Sequence, residues 1–442
     1  MEANIWEDGI PAIIPVTEFD RTLYLLKYGY YNMQIQAVIT FDQHLDTDVL
    51  KKAVRLSLDA EPVLQCQFIE NDKQPYWQPF ENSDQIQWFE FVQNDSKQVA
   101  IEQFLKSSFY FEEQMLSVQL IRGNDNDTLC VKISHACSDA GGLKQYLQLL
   151  AEIYSSLLKD SRYKPEPNTK RRLDQKSYFE ALGIKEPLAL LEPQAQPLPA
   201  SWAFPYYGVE SKEMHISMRR LADESFDRIS AFGKTHAVTI NTIILTAFYR
   251  SMFAMMNPLA GEDREICLTM DLRRSFKTDP SQDICNLSVT ITAKTYRVEE
   301  EAFLGTLKRV SRSIDELKHA QVELSHAVRI EAQGAIEYAQ LRALLQAARP
   351  QFLETGKVPP TLTNMGIISP LQFGQIPAYD AYFVTPTIYV PGFLLGVSTY
   401  NRTLTLLTSY YEPSHRREEV EACLDLIELE LRSLPANEAG LT

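Results

Sequence analysis

The chain has 442 residues, of which 45% are hydrophobic and 23% are charged, and its formal net charge is −15. This composition is typical of a folded globular protein and excludes extended disorder. At roughly 100–200 residues per domain, the length predicts two or three domains. The acidic charge repels phosphate backbones, so nucleic acid is not an expected partner. A local basic pocket for an anionic coenzyme is still compatible with this charge, because screening confines such effects to about 8–10 Å.

Cysteine usage and the amino terminus indicate the compartment. The six cysteines form neither a C-x-x-C pair nor a zinc-like cluster, as is typical of reduced, mostly buried thiols. Acidic residues follow Met1 where a secretory signal requires basic ones, and no stretch approaches about 18 uninterrupted apolar residues. We therefore expect a cytoplasmic protein without a transmembrane segment, and we expect it to act as a monomer.

The first half of the chain alternates between strand and helix patterns. Period-2 alternation predicts strands, and apolar residues at i, i+3, i+4 and i+7 predict helices. Asp46 is suited to cap the first long helix, and a polar loop between two alternating segments predicts a hairpin. The predicted elements are strands at 32–41, 63–69, 115–121 and 128–134, a helix after Asp46 and a helix at about 142–158.

A proline-rich polar stretch separates this half from a second one. Prolines interrupt residues 163–207, where only a short helix near 177–182 is predicted. Beyond it we predict strands at 214–218, 267–272 and 287–295, helices at 223–234, 239–256, 303–345 with a break near Gly334 and 418–434, and a hairpin of 393–400 with 403–410. The predicted organisation is an amino-terminal lobe (1–170), a linker (171–205) and a carboxy-terminal lobe (206–442), of mixed α/β class (α+β type).

The segment with the clearest chemistry runs from Ser134 to Gly142, between a predicted strand and a predicted helix. Loops at such junctions often carry functional residues. His135 titrates near neutral pH and can act as a general base. From spacing alone, a buried polar His135 with Ser138 or Asp139 as an ordinary helix N-cap is the more frequent arrangement. The residue pattern leaves both interpretations open.

Other chemistries fit this segment less well. Cys137 and His135 project from one face of an extended loop, but they are too far apart for a direct hydrogen bond unless the chain turns, which disfavours a cysteine nucleophile. His135 and Asp139 have no nearby residue that completes a usual metal ligand set, so no metal is expected. The G-x-S-x-G, Walker and G-x-G-x-x-G motifs are absent. Serine hydrolases of that type, P-loop enzymes and dinucleotide-binding enzymes are therefore excluded.

His135-x-x-x-Asp139 after a strand resembles the motif of the H-x-x-x-D acyltransferase superfamily. This superfamily includes chloramphenicol acetyltransferase, plant-type acyltransferases and nonribosomal peptide condensation domains. The resemblance is closest to alcohol acetyltransferases and polyketide-associated acyltransferases, and it spans nearly the whole chain. It extends to four further segments in the expected order: Glu61-Pro62-Val63-Leu64, Val238-Thr239-Ile240-Asn241, Thr269-Met270-Asp271-Leu272-Arg273-Arg274 and Thr363-Asn364-Met365-Gly366.

The resemblance implies two lobes of similar topology, each a mainly antiparallel or mixed sheet flanked by helices, with a channel at their interface. His135 would remove a proton from an alcohol or amine acceptor as it attacks a thioester carbonyl. Acetyl-CoA or another acyl-CoA would be the co-substrate, and no cofactor would be bound permanently. Asp139 would be structural and pair with Arg273, or alternatively with Arg274. The substrate channel would be lined by Gly141, Gly142, Asn364 and Gly366.

Two departures from the superfamily pattern leave alternatives open. Many members have two consecutive histidines and a glycine after the aspartate, whereas this chain has Ser134 and Ala140. The single histidine favours alcohol or amine acylation over peptide bond formation. A condensation-like domain that takes its thioester from an acyl carrier protein, and a non-catalytic scaffold, remain as alternatives. The basic stretch of Lys164, Lys170, Arg171, Arg172 and Lys176 is interpreted as part of a solvated linker rather than as a coenzyme contact.

Overall fold

The structure is a computed structural model that describes residues 13–94, 96–110, 113–191, 200–210, 213–222, 224–276 and 283–435. The helices are α1 (Glu18–Leu25), α2 (Thr47–Ala60), α3 (Lys97–Lys106), α4 (Ala140–Lys159), α5 (Gln175–Leu182), α6 (Glu224–Thr235), α7 (Ile240–Met256), α8 (Phe303–His319), α9 (Val322–Gln333), α10 (Tyr338–Thr355) and α11 (Arg417–Arg432). The strands are β1 (Ile14–Pro15), β2 (Gln34–Phe41), β3 (Cys66–Ile69), β4 (Tyr76–Pro79), β5 (Phe89–Gln93), β6 (Leu116–Arg122), β7 (Asp127–Ser134), β8 (Met214–Leu221), β9 (Asp263–Asp271), β10 (Ser288–Tyr296), β11 (Thr361–Ile367), β12 (Gln372–Phe373), β13 (Ile376–Val384), β14 (Leu394–Tyr400) and β15 (Thr403–Tyr411).

The first large sheet has six strands in the order β12-β13-β2-β7-β6-β5. Its centre is the antiparallel pair β2 and β7, in which Gln34 lies opposite Ser134 and Val38 lies opposite Cys130. Alternate apolar residues of these strands, such as Ile39 and Ile133, belong to a core that also contains residues of α2 and α4. The residues that alternate with them are buried too and include the polar Gln36 and Lys132. This difference between the two faces fixes the register, because a shift of one residue would place polar side chains in the apolar core.

The second large sheet also has six strands, in the order β10-β9-β11-β14-β15-β8. Its core is built around α7, which is apolar on almost every side, and α11. Thr239 caps α7 by accepting a hydrogen bond from the Thr242 amide at 3.1 Å. The two sheets meet through a separate apolar cluster that joins Val38 and Cys130 of the first sheet to Leu407 of the second.

One strand of the second half belongs to the first sheet. β13 pairs antiparallel with β2, with Tyr382 opposite Val38, and β12 pairs with β13 beyond it. The chain therefore returns from the second sheet to complete the edge of the first. The division into lobes 1–170 and 206–442 stays a prediction. β12 and β13 belong to the predicted carboxy-terminal lobe but pair within the first sheet, so the predicted boundary does not separate the two sheets completely.

Besides the two large sheets, β1, β4 and β3 form a small three-stranded sheet, and this mixed fold of sheets with flanking helices confirms the predicted class. The predicted strand at 63–69 is partly wrong: Pro62 begins a 3-10 turn, and β3 starts only at Cys66. The helical region after Phe303 has breaks after both His319 and Gln333, and α10 extends to Thr355. The sequence patterns did not indicate α1, α3, β1, β4, β5, β11, β12 or β13.

The predicted linker at 171–205 is packed against the protein at both ends. Tyr178 and Phe179 of α5 are buried, and Trp202 and Phe204 join the core of the second sheet. Arg172 is buried as well, so the interpretation of the whole basic stretch as solvated is wrong for this residue. Residues 192–199 lie outside the described residues.

In the described ranges, no single helix is long and apolar enough to cross a membrane. Taken together, α6 and α7 meet the length and composition criteria, but they are bent by 105°.

Candidate active site

The candidate site is the loop that connects β7 to α4. β7 ends at Ser134 and α4 begins at Ala140, so His135 and Asp139 lie at opposite ends of the connection. Asp139 is the N-cap of α4, because its Oδ1 accepts a hydrogen bond from the Gly142 amide at 3.0 Å. This cap fixes where the loop ends, and the pairing of β7 with β2 fixes where it begins.

The imidazole of His135 is held in one orientation. Its Nδ1 lies 3.0 Å from the carbonyl oxygen of Ser138, and its ring stacks on that of Tyr31 at 5.5 Å between centroids. The backbone amide of His135 donates to the Met33 carbonyl at 2.7 Å. Because a carbonyl only accepts hydrogen bonds, Nδ1 carries the proton, and in the neutral ring the lone pair is on Nε2.

Burial lowers the pKa of His135 below its ordinary value of 6.5, because it disfavours the charged imidazolium. The negative charge of Asp139, the Ser138 carbonyl and the side chain of Asn286 act in the opposite direction but do not outweigh burial. The imidazole is therefore neutral at pH 7, the state in which Nε2 can accept a proton.

Asp139 and Arg273 form a buried ion pair, with Oδ2 of Asp139 at 2.8 Å from Nη1 of Arg273. The same carboxylate oxygen accepts the Leu287 amide at 2.8 Å, and Nη2 of Arg273 donates to the Cys285 carbonyl at 2.9 Å. Burial alone would raise the pKa of Asp139, but Arg273 and the amides of Leu287 and Gly142 lower it further than burial raises it. Asp139 thus serves both as N-cap and as ion-pair partner, and its partner is Arg273 rather than Arg274.

Gly141 and Gly142 allow the second half of the chain to approach α4. A Cβ atom at residue 141 would lie 2.7 Å from Nη1 of Arg273. At residue 142 a Cβ would collide with Oγ of Ser138 and lie 3.1 Å from the amide nitrogen of Cys285. Glycine at 141 therefore leaves room for Arg273 beside Asp139, and glycine at 142 leaves room for Ser138 and Cys285. That these glycines line the substrate channel stays a prediction.

Asn364 and Gly366 lie in an irregular part of β11, where the pairing with β14 shifts register. The side-chain oxygen of Asn364 accepts the Gly366 amide at 2.9 Å, and Gly366 has a φ of 75°, a conformation that favours glycine. A Cβ at Gly366 would lie 3.3 Å from Nζ of Lys144 in α4. The structure thus places this turn beside the helix that starts at the candidate site.

Cys137 does not have the environment of a nucleophile. Its side chain is fully buried and its thiol donates to the Ser134 carbonyl at 3.3 Å. Burial raises the pKa of this thiol to about 12, so it is protonated at neutral pH. Among the described residues, no group of three or more His, Cys, Asp or Glu side chains could hold a metal ion.

Sequence reasoning missed Asn286, which lies between the two halves of the site. Its Nδ2 donates to the carbonyls of His135 and Ala136, each at 3.1 Å. The only signal in the sequence was a single amide residue between the apolar Cys285 and Leu287, which indicates a buried polar group but not its partner.

A cavity of about 840 Å³ opens between the two sheets next to the candidate site. Met33 and Ser134 line it from the first sheet, and Met214 and Tyr411 line it from the second. Met33 accepts the His135 amide and Ser134 precedes His135 in the chain, so the cavity adjoins the loop. Its volume falls within the range of about 300–1,000 Å³ that small-molecule sites occupy.

The fold and the loop together define the class of protein. Two facing sheets, a strand-to-helix loop with the H-x-x-x-D spacing and a cavity between the sheets match the H-x-x-x-D acyltransferase superfamily, and the predicted resemblance is confirmed. Residues 13–329 match the family described as Condensation domain. The chain belongs to the condensation-domain family.

Solved structures show the same fold over almost the full length. The trichothecene 15-O-acetyltransferase of Fusarium sporotrichioides has 11% sequence identity and a TM-score of 0.71, with 96% of this chain and 95% of that chain covered. The first condensation domain of the calcium-dependent antibiotic synthetase, solved with a substrate analogue, has 13% identity and a TM-score of 0.70, with 97% of each chain covered. The starter condensation domain of rhizomide synthetase, a mutant solved with C8-CoA, has 13% identity and a TM-score of 0.65, with 96% and 94% covered. No curated protein matches the sequence.

Proposed function

We propose that this protein transfers an acyl group, in the simplest case acetyl, from a CoA thioester to an alcohol or amine acceptor, with His135 as the general base. The observation that carries this proposal is the contact between Nδ1 of His135 and the Ser138 carbonyl at 3.0 Å. It leaves a neutral Nε2 as the proton acceptor on a ring whose orientation is fixed by Tyr31.

The reaction balances with His135 as its only proton carrier. Nε2 takes the proton of the acceptor O–H or N–H while that atom forms a bond to the thioester carbonyl carbon. The tetrahedral intermediate then collapses, the C–S bond breaks and the imidazolium returns the proton to the leaving thiolate. The products are an ester or amide and free CoA, and no covalent enzyme intermediate is required.

In this proposal Asp139 contacts neither substrate. Its carboxylate is fully engaged by Arg273, the Leu287 amide and the Gly142 amide, so it faces away from Nε2 of His135. Its role is to fix the end of the loop and, through its negative charge, to stabilise the imidazolium that forms during the reaction. Gly141, Gly142, Asn364 and Gly366 are proposed to border the channel.

The cavity that reaches the His135 loop at Met33 and Ser134 is the proposed space for the reacting ends of the two substrates. Its walls combine apolar side chains such as Met33, Met214 and Phe109 with the charged side chains of Lys27, Lys106, Glu210 and Arg349. This mixed lining suits a ligand that carries both an apolar chain and polar groups. An acyl-CoA donor is supported by analogy with the starter condensation domain solved with C8-CoA, and transfer of an acetyl group by analogy with the trichothecene 15-O-acetyltransferase.

A second candidate is transfer from an acyl carrier protein, as in a stand-alone condensation domain. It is favoured by the family match itself, which covers the half that carries His135 and extends into the second half. Ser134, where many superfamily members have a second histidine, favours the alcohol or amine acylation of the first candidate. The two candidates share His135 and differ only in what carries the thioester.

The test is to incubate the purified protein with acetyl-CoA, octanoyl-CoA and the same acyl groups on a carrier protein, each with a pool of alcohols and amines. Free thiol release and product mass are followed. Acceptor-dependent release from CoA thioesters that is lost in His135→Ala supports the first candidate. Release from the carrier protein alone would replace it with the second. No acceptor-dependent release from either donor would support a non-catalytic scaffold and contradict both.

We propose that the protein acts in the cytoplasm as a monomer. All six cysteines are free thiols, and Cys66, Cys130, Cys137, Cys285 and Cys423 are buried. This cysteine usage fits a reducing compartment.

A further inference from the structure

Arg172 lies behind the candidate site, in a segment whose basic residues suggested an exposed linker. Its guanidinium is buried, with a side-chain exposure of 12%, and its Nη2 donates to the Cys137 carbonyl at 2.8 Å. Its Nη1 donates to the Ile284 carbonyl at 2.9 Å. Arg172 therefore connects the middle of the His135–Asp139 loop to the second half of the chain.

The charge of Arg172 is balanced by Asp20 of α1, which is fully buried. Oδ1 of Asp20 lies 3.0 Å from Nη2 of Arg172, and Oδ2 lies 3.2 Å from its Nε. Asp20 also accepts hydrogen bonds from Trp77 at 3.3 Å and from Nδ2 of Asn286 at 3.2 Å. The two hydrogens of Asn286 Nδ2 are shared between Asp20 and the carbonyls of His135 and Ala136, so Asp20 contacts both donors that hold the loop.

Together these donors occupy three consecutive carbonyls of the loop. Asn286 binds those of His135 and Ala136, and Arg172 binds that of Cys137. The next carbonyl, that of Ser138, is the one that holds Nδ1 of His135. Because neighbouring peptide planes share a Cα atom, fixing the Cys137 carbonyl limits the directions in which the Ser138 carbonyl can point.

We infer that Arg172 is a positioning residue: with Asp20 and Asn286 it orients the loop so that the Ser138 carbonyl selects the Nδ1–H tautomer of His135. These three residues are separate from the Asp139–Arg273 ion pair, which holds the end of the loop where α4 begins. The effect on catalysis rests on the proposed function, whereas the effect on the tautomer does not.

A merely structural role for Arg172 makes a different prediction. If Arg172 only neutralised the buried charge of Asp20, then removing both charges would restore both stability and activity. If it positions the loop, removing both charges would restore stability but leave the Cys137 carbonyl without its donor. The double variant Asp20→Asn with Arg172→Met therefore separates the two roles.

The experiment compares wild type, Arg172→Met, Arg172→Lys, the double variant and Arg171→Met. Arg171 is the matched control, because it is the adjacent arginine, its side chain is 58% exposed, and it contacts the N-cap of α5, Asp174, rather than the His135 loop. Melting temperature, kcat and KM are measured, and the His135 tautomer is read from ¹⁵N-histidine NMR spectra. Comparison with the spectrum of His135→Ala assigns the signal.

We expect the double variant to regain most of the melting temperature that Arg172→Met loses. Its kcat should stay reduced by about 10²-fold, with KM within twofold, because a displacement of about 1 Å in a catalytic group costs that much. Its His135 signal should show a mixture of tautomers, whereas Arg171→Met should match wild type and Arg172→Lys should recover part of kcat.

A double variant with wild-type kcat, or an unchanged Nδ1–H signal in both Arg172→Met and the double variant, would overturn the inference. A wild-type protein that shows no acyl transfer would contradict the proposed function alone. The NMR spectra would still decide whether Arg172 positions His135.

Discussion

The Asp139 carboxylate and the Arg273 guanidinium lie 2.8 Å apart, although 134 residues separate them in the chain. Both side chains are almost completely buried. An ion pair in this environment stabilises the fold only while both partners are present, because either charge alone has lost its hydration. The contact therefore couples the end of the His135 loop to the turn that follows β9.

Asp139→Asn tests this coupling with little effect on the helix cap, since asparagine caps helices about as well as aspartate. Removing the charge leaves Arg273 with only the partly exposed Asp271, whose Oδ1 lies 3.2 Å from Nη1, so we expect the free energy of unfolding to fall by less than the roughly 3–5 kcal/mol of a fully unpaired buried charge. Adding Arg273→Met should recover part of that loss. Urea unfolding of the two single variants and the double variant measures both effects, and equal stability of Asp139→Asn and wild type would show that the pair does not stabilise the fold.

His135→Ala should leave the fold intact and lower kcat by about 10²–10⁴-fold, the usual contribution of a positioned general base. His319→Ala is the control, because His319 is exposed at the end of α8 and its Nδ1 contacts the Asp315 carbonyl of the same helix. Steady-state kinetics and a thermal melt on both variants suffice. Acyl transfer by His135→Ala at the wild-type rate would exclude His135 as the base.

The activity should persist to lower pH than the ordinary imidazole pKa of 6.5 would allow. Burial lowers the pKa of His135, so the neutral, active form is retained as the pH falls until it passes through this lowered value. The negative charge of Asp139 raises the pKa of His135 and so opposes the effect of burial. Asp139→Asn should therefore lower this pKa further and move the acidic limb of the kcat profile to still lower pH. Profiles of kcat from pH 5 to 8 test both statements, and an acidic midpoint above 6.5 in wild type would contradict them.

The sequence identified the parts of the site that local patterns determine. Alternation up to Ser134 and helical spacing from Leu143 placed His135 between β7 and α4, and the N-cap preference pointed to Ser138 or Asp139, of which the structure selects Asp139. Arg273 was expected only through the resemblance to the superfamily, because nothing in the spacing of residues 139 and 273 relates them.

The parts that depend on long-range packing could not be predicted. Arg172 follows Lys170 and Arg171 in a polar stretch, and its burial is set by Asp20 of α1, which is 152 residues away. Likewise, β13 follows strands of the second sheet in the chain, yet its partner is β2. Single-sequence periodicity reports which face of a segment is buried, but not which distant segment covers it.

Cys137→Ser should retain most of the transfer activity. The thiol is buried, and its raised pKa of about 12 keeps it protonated, so it cannot supply a thiolate nucleophile at neutral pH. A serine hydroxyl can make the same hydrogen bond to the Ser134 carbonyl. Mass spectrometry of the protein quenched during turnover provides the second check, and an acyl group on Cys137 would replace direct transfer with a covalent mechanism.

Lys132 is a buried amine in β7, two residues before Ser134, and its side chain is almost completely inaccessible. Its Nζ donates to the carbonyl of Phe104 at 3.0 Å and to Oγ of Ser107 at 3.1 Å, at the end of α3. Burial lowers the pKa of Lys132 to about 7, with the nearby Cys130 thiol as a smaller opposing influence.

This lowered pKa predicts a specific pH dependence of stability. Between about pH 7 and 10.4 the unfolded chain binds a proton at Lys132 that the folded protein does not, so this group makes stability rise with pH by up to about 1.4 kcal/mol per unit. Below pH 7 both states are charged and the slope vanishes. The free energy of unfolding of wild type should therefore increase relative to Lys132→Met between pH 7.5 and 9.5, whereas Lys51→Met, at an exposed position of α2, should follow wild type in parallel. Parallel curves for wild type and Lys132→Met would mean that Lys132 stays protonated in the fold, held by the oxygen atoms at the end of α3.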